Sequence, residues 1–288
     1  MSSKEKVFIN GDLSDATNAK ISPFDRGFLF ADGVYELIPF FSNKPFLLDE
    51  HYIRLSQSLQ KMEIKNPYTE EEWKSYISML VETTDLKNFY LYIQVTRGTP
   101  ELNGVSRKRD HVYPEDYKST VFMFLSEITP MSEDEISSGK EAITLEDMRW
   151  YLCDIKSISL AYNAYAKDLA NKKGAFESIL KRDNMITEGS SSNIFIIKNN
   201  KIITPKSNNL ILHGITRGFI FELAKKMDIE ILEEDITYKD LMNSDEVFVT
   251  NSTQSVVPIS VIDGKKINSG SAGPLSLELS KNFISEYQ

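Results

Sequence analysis

Lys156 is the residue whose surroundings in this sequence most strongly suggest chemistry. It lies in the segment RWYLCDIKSISLAYNAYAK, residues 149–167, where most neighbours are apolar or aromatic and Asp154 is the nearest acidic residue. Burying an ammonium group costs several kcal/mol unless the charge is paired, neutralised or used in a reaction. Lys156 therefore either extends its charged end into water or acts as a nucleophile or base.

Other segments offer groups that could hold an anion or a basic ring. Glu188 precedes a Gly-Ser-Ser-Ser turn that leads into the apolar strand NIFII. Residues 214–216 (GIT) are predicted to begin a helix, and the N–H groups at a helix N-terminus bind phosphate well. The turn at 250–253 (TNST) adds donors, and Arg54 could complete the site with a forked contact.

A nucleophilic lysine, an acid and a phosphate-binding helix together predict pyridoxal 5'-phosphate as the cofactor. The lysine would bond to it covalently, and the acid would keep the pyridine nitrogen protonated so that the ring can withdraw electrons from the substrate. Taken singly, each feature has a purely structural explanation: a solvated lysine, a turn at TEGS and an ordinary helix start at GITR.

The composition excludes some classes of partner. The chain has 288 residues, enough for two domains or one large one. It has 33 basic and 42 acidic residues, and its formal net charge is −9. This charge argues against nucleic acid or an anionic membrane as the main partner, although a local basic pocket could still bind a small anion.

Cysteine and histidine usage argues against a disulfide and a metal site. Cys153 is the only cysteine, so no intrachain disulfide can form, and we expect a cytoplasmic protein. The histidines show no two-ligand spacing, so we expect no metal. No apolar run approaches the ~18 residues of a membrane span, and the start MSSKEKVFINGD lacks a signal-peptide core, so we expect neither feature.

Strands and helices must position these groups. In the first half, KVFINGDL predicts a strand and a hairpin turn, GVYELIPFF a strand in which Tyr35 and Leu37 share one face, and KPFLL a third strand. The segment DEHYIRLSQSLQKM is predicted to be a helix capped by Asp49. A further helix is predicted to begin at Thr69, which is followed by acidic residues.

The second half repeats this mixture, with strands at about 141–152 and a helix at about 158–174. A polar, serine-containing stretch separates the halves. We therefore expect an α+β fold with an N-terminal domain over 1–126, a linker over 127–136 and a C-terminal domain over 137–288. The glycine-rich fingerprints for dinucleotides and for nucleoside triphosphates are absent from the sequence.

Six motifs make the chain resemble a known family. From about residue 6 to residue 285, the sequence is similar to the class IV, fold-type IV aminotransferases, because these motifs stand in the family's order and spacing: DRGFLFADGVYE, YIQVTRG, DIKS, TEGSSSNIF, HGITR and DEVFVTNSTQSVVP. The resemblance implies a homodimer of two-domain subunits, each with a small N-terminal α/β domain and a larger C-terminal mixed, β-barrel-like domain. It also implies pyridoxal 5'-phosphate.

The resemblance also implies roles for individual residues. Lys156 would bond to the cofactor and act as the catalytic base, Glu188 would pair with the pyridine nitrogen, and Leu212 would pack against the ring. The remaining cofactor contacts are implied to come from the phosphate-holding residues Arg54, Ile215, Thr216 and Ser252, with Ser191 and Ser192 close by.

Within the family, the chain looks closest to the bacterial D-amino acid aminotransferases. Those enzymes hold the substrate carboxylate with an Arg-x-His pair and a tyrosine, which Arg109, His111, Tyr35 and Tyr92 match. About seven additional residues, within ELNGVSRK, separate RGTP from Arg109. An alternative interpretation of SRKRDH is a solvated run of charges on a surface loop.

The resemblance therefore leaves several functions open. We expect transamination between an amino acid, such as D-alanine, and a 2-oxo acid. A branched-chain L-amino acid aminotransferase would keep the same cofactor residues and bind the carboxylate without Arg109. An aminodeoxychorismate lyase would release pyruvate from an aromatic precursor, and a non-enzymatic relative would have lost Lys156 or Glu188.

Overall fold

The computed structural model describes residues 5–100 and 109–287, and these form two compact units. Unit 1 is the chain up to Ile128 together with Ile155–Ser159, and unit 2 is Thr129–Asp154 together with the chain from Leu160 onward. Each unit combines helices with a β-sheet, so the expected α+β class is confirmed. The domain bounds 1–126, 127–136 and 137–288 stay a prediction.

Unit 1 contains an antiparallel sheet with helices. Within the described part of this unit, the sheet has the strand order β2-β1-β6-β5-β3-β4. Its strands are β1 (Lys6–Ile9), β2 (Asp12–Asp15), β3 (Gly33–Phe41), β4 (Lys44–Pro45), β5 (Phe89–Pro100) and β6 (Tyr117–Glu127). Its α-helices are α1 (Arg26–Phe30), α2 (Leu48–Lys61) and α3 (Glu70–Val81), and a 3₁₀ turn covers Ala16–Asn18.

The core of unit 1 follows from the two-residue period of its strands. Alternate residues of β5 from Phe89 to Val95 are buried, and they join a cluster that includes Leu55 and Leu59 of α2 and Trp73 of α3. In β3, Tyr35 and Leu37 are half-buried between fully buried neighbours, as expected for residues that share one face. Tyr35 and Leu37 therefore lie on the opposite, less buried face of the sheet.

The starts of α2 and α3 differ from each other. Thr69 begins α3 with a capping box, in which its hydroxyl accepts from the Glu72 N–H and the Glu72 carboxylate accepts from the Thr69 N–H. The predicted cap at Asp49 is wrong. Helix α2 begins at Leu48, with Leu47 as N-cap in the left-handed region, and Asp49 instead complements the helix dipole in the first turn.

Unit 2 is built on a mixed sheet. Its strand order in the described residues is β12-β11-β10-β13-β14-β7-β8-β9, with β15 paired to β14. The strands are β7 (Lys140–Glu146), β8 (Glu177–Arg182), β9 (Met185–Gly189), β10 (Asn193–Lys198), β11 (Lys201–Thr204), β12 (Ile231–Glu233), β13 (Glu246–Asn251), β14 (Ser255–Ile262) and β15 (Lys265–Lys266). The helices are α4 (Glu133–Ser138), α5 (Ala161–Lys172), α6 (Ile215–Lys226), α7 (Tyr238–Met242) and α8 (Pro274–Tyr287).

The predicted strand at 141–152 is too long. Strand β7 ends at Glu146, because Asp147 accepts hydrogen bonds from the backbone N–H and the guanidinium of Arg149. Such local side-chain bonds offer the backbone an alternative to the sheet ladder. Along 5–100 and 109–287, no helix has both the length and the apolar character that a membrane span requires.

Candidate active site

Lys156 lies in unit 1, on a segment that is hydrogen-bonded to the start of β3. Its backbone N–H donates to Ser58 Oγ at 3.2 Å, and its carbonyl accepts from the Tyr35 N–H at 2.9 Å. Its Nζ lies 4.2 Å from the centre of the Tyr35 ring. The backbone of Lys156 is therefore held in place while its amine lies over an aromatic face, a contact that favours a cation.

Tyr35 and Tyr92 form a stacked pair beside this lysine. Their ring centroids are 5.7 Å apart, and the Tyr92 hydroxyl donates to Gln94 Oε1 at 2.8 Å. Burial raises the pKa of Tyr92, so its phenol stays neutral and can donate a hydrogen bond. The structure thus brings together three predicted site residues, Lys156, Tyr35 and Tyr92.

Arg54 is oriented by an acid that the sequence did not indicate. Glu36 is fully buried and accepts from Arg54 Nε at 2.9 Å and from Arg54 Nη2 at 2.6 Å. Burial alone would raise the pKa of Glu36, but Arg54 and His51 outweigh it and hold the pKa well below its usual range. Burial lowers the pKa of His51, whose Nδ1 lies 3.0 Å from Glu36 Oε1. The direction of the Arg54 fork is therefore fixed by an ionised carboxylate.

Arg109 and His111 both lie close to the aromatic ring of Phe30 in unit 1. The guanidinium of Arg109 lies 4.3 Å from the centre of the Phe30 ring, and the His111 ring centroid lies 5.2 Å from it. Both residues are exposed on this unit. The additional segment ELNGVSRK, residues 101–108, lies outside the described residues.

Glu188 is the centre of a buried polar network in unit 2. It lies in β9, with Oε1 at 2.5 Å from Arg149 Nη1 and Oε2 accepting from Asn193 Nδ2 at 3.0 Å and from the Leu212 N–H at 2.9 Å. Burial raises the pKa of Glu188 to about 7, and Arg149 opposes the rise. A carboxyl group with this pKa can share a proton with a basic ring nitrogen near neutral pH.

Arg149 was missed by the sequence analysis. Its guanidinium bridges Glu188 and Asp147, with Nη2 at 2.9 Å from Asp147 Oδ2. Its own signal is weak, because 39 positions separate Arg149 from Glu188 and nothing in the sequence pairs them. The predicted contact residue Leu212 takes part through its backbone, whose carbonyl also accepts from Asn193 Nδ2 at 2.8 Å.

Ser191 and Ser192 are held by a second buried acid that was also missed. Glu177 of β8 is fully buried and accepts from Ser192 Oγ at 2.8 Å, from Ser191 Oγ at 3.3 Å and from the hydroxyl of Ser190. The carboxylate of Glu177 therefore holds the serine turn, residues 190–192, in its conformation. That Ser191 and Ser192 contact the phosphate stays a prediction.

Helix α6 begins at the predicted phosphate-binding residues. Ile215 is its first residue, Gly214 is its N-cap, and Thr216 is buried in its first turn. Gly214 brings no side chain to its first-turn N–H groups, and a Cβ there would lie 2.1 Å from Asn193 Oδ1. Ser252 lies in the turn between β13 and β14.

The donors of unit 2 fit a phosphate ester and a basic ring. The N-terminus of α6 offers N–H groups and a dipole that favour a dianion. Thr250 Oγ1, two residues before Ser252, is buried without a hydrogen-bond partner in the described part of the chain. Glu188, anchored on three sides, suits a protonated ring nitrogen. This donor chemistry is compatible with pyridoxal 5'-phosphate.

Comparisons with known proteins point the same way. A family model described as amino-transferase class IV matches residues 33–262. A D-alanine aminotransferase of Listeria monocytogenes is 39% identical over 282 residues, which cover 98% of this chain and 96% of that protein. A D-alanine aminotransferase of Bacillus licheniformis is 40% identical over 271 residues, with 94% and 93% covered.

Solved structures are similar over the same length. The T.th. branched-chain amino acid aminotransferase with pyridoxamine 5'-phosphate has a TM-score of 0.89 and 25% identity, covering 98% of this chain and 93% of that chain. The Escherichia coli branched-chain amino acid aminotransferase also has a TM-score of 0.89, at 20% identity, with 99% and 95% covered. The second likeness concerns the fold alone.

Proposed function

The chain belongs to the class IV aminotransferase family, and on that premise we propose that it transfers the amino group of a D-amino acid, such as D-alanine, to a 2-oxo acid. Its cofactor is pyridoxal 5'-phosphate. The observation that carries the proposal is identity of 39% with a D-alanine aminotransferase over 282 residues, nearly the whole chain.

We propose that the chain's own groups divide the work as follows. When bound, the cofactor supplies a ring that takes up the electrons left behind as the α-proton departs. Lys156 Nζ would hold the cofactor covalently, and its amine, when free, would remove the α-proton of the substrate and return it. Glu188 keeps a proton on the ring nitrogen, and its buried contacts to Arg149 and Asn193 hold it in that position.

The phosphate would be held by several groups. The first-turn N–H groups of Ile215 and Thr216 would bind it, as would Ser252 and the guanidinium of Arg54, which Glu36 orients. The serine turn that includes Ser191 and Ser192 would lie close by, and Leu212 would pack against the ring. All of these roles are carried from the family to the matching positions of this chain.

The substrate carboxylate would be bound by Arg109 and His111, with Tyr35 and Tyr92 completing the contact. A guanidinium binds a carboxylate strongly only where water is excluded and the contact is forked. Because Arg109 and His111 are exposed on their own unit, the family's homodimer would supply the remaining walls, which is why we propose that the partner subunit contributes to this trap.

Exposed apolar side chains support the proposed homodimer. Unit 1 exposes 79% of Phe28, and unit 2 exposes four large apolar side chains within five residues, namely Met148, Trp150, Tyr151 and Leu152. Apolar groups that cluster on a surface mark interaction sites. We propose a cytoplasmic location as well, since Cys153, the only cysteine, cannot form an intrachain disulfide.

A branched-chain L-amino acid aminotransferase is the second candidate. It is favoured by the T.th. branched-chain enzyme, whose structure has a TM-score of 0.89 at 25% identity. The lower identity, compared with 39% for the D-alanine enzyme, places it behind the first candidate.

One titration separates the two. The purified protein is loaded with pyridoxal 5'-phosphate and its visible absorption band recorded, after which D-alanine is added to one sample and L-leucine to another. We expect D-alanine alone to convert the band to that of the pyridoxamine form. Conversion by L-leucine alone would assign the chain to the branched-chain enzymes, and absence of any band would contradict the assignment of Lys156.

A further inference from the structure

Arg26, a buried arginine of α1, binds the backbone of the loop that carries Arg109 and His111. Its Nη1 donates to the carbonyls of Asp110 at 2.7 Å and Val112 at 3.4 Å, and its Nη2 donates to the carbonyl of His111 at 3.3 Å. Only 5% of Arg26 is exposed while the loop is in place, so these carbonyls satisfy N–H groups that are largely shielded from water.

Arg26 is itself fixed from the opposite side. Its Nε lies 2.7 Å from Asp32 Oδ2, and Arg97 Nε lies 2.8 Å from the same oxygen. Arg97 donates to the carbonyls of Met62 and Glu63 at the end of α2. The arginine that holds the loop is thus tied through one carboxylate to the helical layer of the unit.

Aromatic contacts add to this attachment. The guanidinium of Arg97 lies 3.6 Å from the ring centre of Tyr113, at the end of the same loop. Phe30, one turn after Arg26 on α1, lies beneath both Arg109 and His111. Two side chains of α1 therefore hold the loop in position. Arg26 binds the backbone carbonyls of the loop, and Phe30 packs against two of its side chains.

We propose that Arg26 is a positioning residue for the substrate carboxylate, acting through the backbone of residues 110–112 to place Arg109 and His111. This inference rests on the proposed function, in which that pair binds the carboxylate. Arg26 touches no reacting atom. It fixes the loop before substrate arrives, so the loop does not lose conformational entropy on binding.

The test compares Arg26→Gln and Arg26→Lys with wild type and with Lys74→Gln. Gln removes the charge and the fork, and Lys keeps a charge for Asp32 but cannot reach three carbonyls. Lys74 forms exposed ion pairs with Glu70 and Asp49, so Lys74→Gln is a control for loss of a positive charge. Phe30→Leu is the second, independent variant, because Phe30 is only half-buried.

Two measurements are made on each holoenzyme. Steady-state kinetics with D-alanine give KM and kcat, and hydrogen exchange followed by mass spectrometry reports on peptides that cover residues 109–116. For Arg26→Gln we expect KM for D-alanine to rise about 10-fold or more with kcat changed far less, and the loop amides to exchange faster. Arg26→Lys and Phe30→Leu should shift both quantities in the same direction by smaller factors.

A double-mutant cycle with Arg109→Ala separates positioning from a general loss of structure. If Arg26 acts through Arg109, adding Arg26→Gln to Arg109→Ala changes KM little further. The same fold-change in both backgrounds would overturn the proposal, as would unchanged KM and unchanged exchange in Arg26→Gln. If Arg26→Gln does not fold, Phe30→Leu and Arg26→Lys decide by the same criteria.

Failure of the proposed function gives a different result. A wild-type enzyme that is inactive with D-alanine, or an Arg109→Ala variant with normal KM, would reject the role of the Arg-x-His pair and the kinetic part of this inference with it. Faster loop exchange in Arg26→Gln would then show that the attachment exists but serves no carboxylate. Normal KM in Arg26→Gln beside a raised KM in Arg109→Ala would reject the inference alone.

Discussion

Arg149 Nη1 lies 2.5 Å from Glu188 Oε1, and both side chains are almost entirely buried in unit 2. Asp147 approaches the same guanidinium at 2.9 Å and also lies 3.4 Å from Arg182 Nη2, so Arg149 is shared between two buried carboxylates, of which Asp147 has a second arginine. A buried ion pair adds little stability relative to apolar residues, but removal of one member leaves an uncompensated charge. The protonation state of Glu188 therefore depends on Arg149.

Replacement of Arg149 with Gln should therefore destabilise the protein strongly. We expect the free energy of unfolding of the apoprotein to fall by about 3–5 kcal/mol, measured by urea denaturation. In the double variant Arg149→Gln/Glu188→Gln, part of this loss should be recovered, since fewer buried charges remain. The exposed pair of Lys206 with Asp235 offers a control, and Lys206→Gln should leave stability nearly unchanged. An equal loss of unfolding free energy in Arg149→Gln and in the double variant would refute this account.

The pKa of Glu188 predicts a specific dependence of stability on pH. Burial raises this pKa from 4.5 to about 7, so the folded apoprotein binds the proton more tightly than the unfolded chain does. The contribution of Glu188 to stability is fully present below pH 4.5 and is lost as pH rises through about 7, amounting to at most about 3 kcal/mol. We expect the difference in unfolding free energy between wild type and Glu188→Gln to change in that window. A constant difference from about pH 5 to about pH 8 would contradict the raised pKa.

Lys156→Ala should abolish turnover while leaving the fold intact. The amine is the only part of Lys156 with a proposed chemical role, and its backbone contacts to Ser58 and Tyr35 do not require the side chain. Turnover with D-alanine, the visible absorption band and the thermal unfolding midpoint are measured together. Lys172→Ala, which removes only an exposed pair with Asp168, is the control. Full turnover in Lys156→Ala would reject the assignment.

Gly214, the N-cap of α6, and Gly218, inside the helix, offer a comparison of two glycine substitutions. A Cβ at Gly214 would lie 2.1 Å from Asn193 Oδ1, whereas a Cβ at Gly218 would meet no atom within 4 Å. Gly214→Ala should displace Asn193, which donates to Glu188, and weaken binding of pyridoxal 5'-phosphate about 10-fold or more. Gly218→Ala should leave binding unchanged and stabilise the helix by up to about 1 kcal/mol.

Fluorescence titration of the apoproteins with the cofactor checks both glycine variants. Because one substitution adds a methyl group at the N-cap of α6 and the other adds one inside the helix, a general effect on α6 would change both affinities. Equal affinities in the two variants would mean that the close approach at Gly214 is unimportant.

The local signals of the sequence were sufficient for several elements. GVYELIPFF coincides with β3 because alternation and β-branched or aromatic residues act on the strand itself, and Thr69 begins α3 because a capping box is complete within four residues. The start of α2 was misplaced because the left-handed conformation of Leu47 has no signal in a leucine. Strand β7 was extended too far because the bonds between Asp147 and Arg149 compete with the ladder.

The family and the candidate roles follow from the sequence alone, because motifs such as DIKS, TEGSSSN and HGITR can be recognised by their order and spacing without coordinates. The buried partners that hold those residues, in contrast, are visible only in the folded chain. Glu36 orients Arg54, Arg149 holds Glu188, and Glu177 shapes the serine turn. Arg26 likewise reaches the loop of Arg109 from 84 or more positions away. The physical reason is that charge pairing depends on distance in space, and these partners come together only when the core excludes water around them.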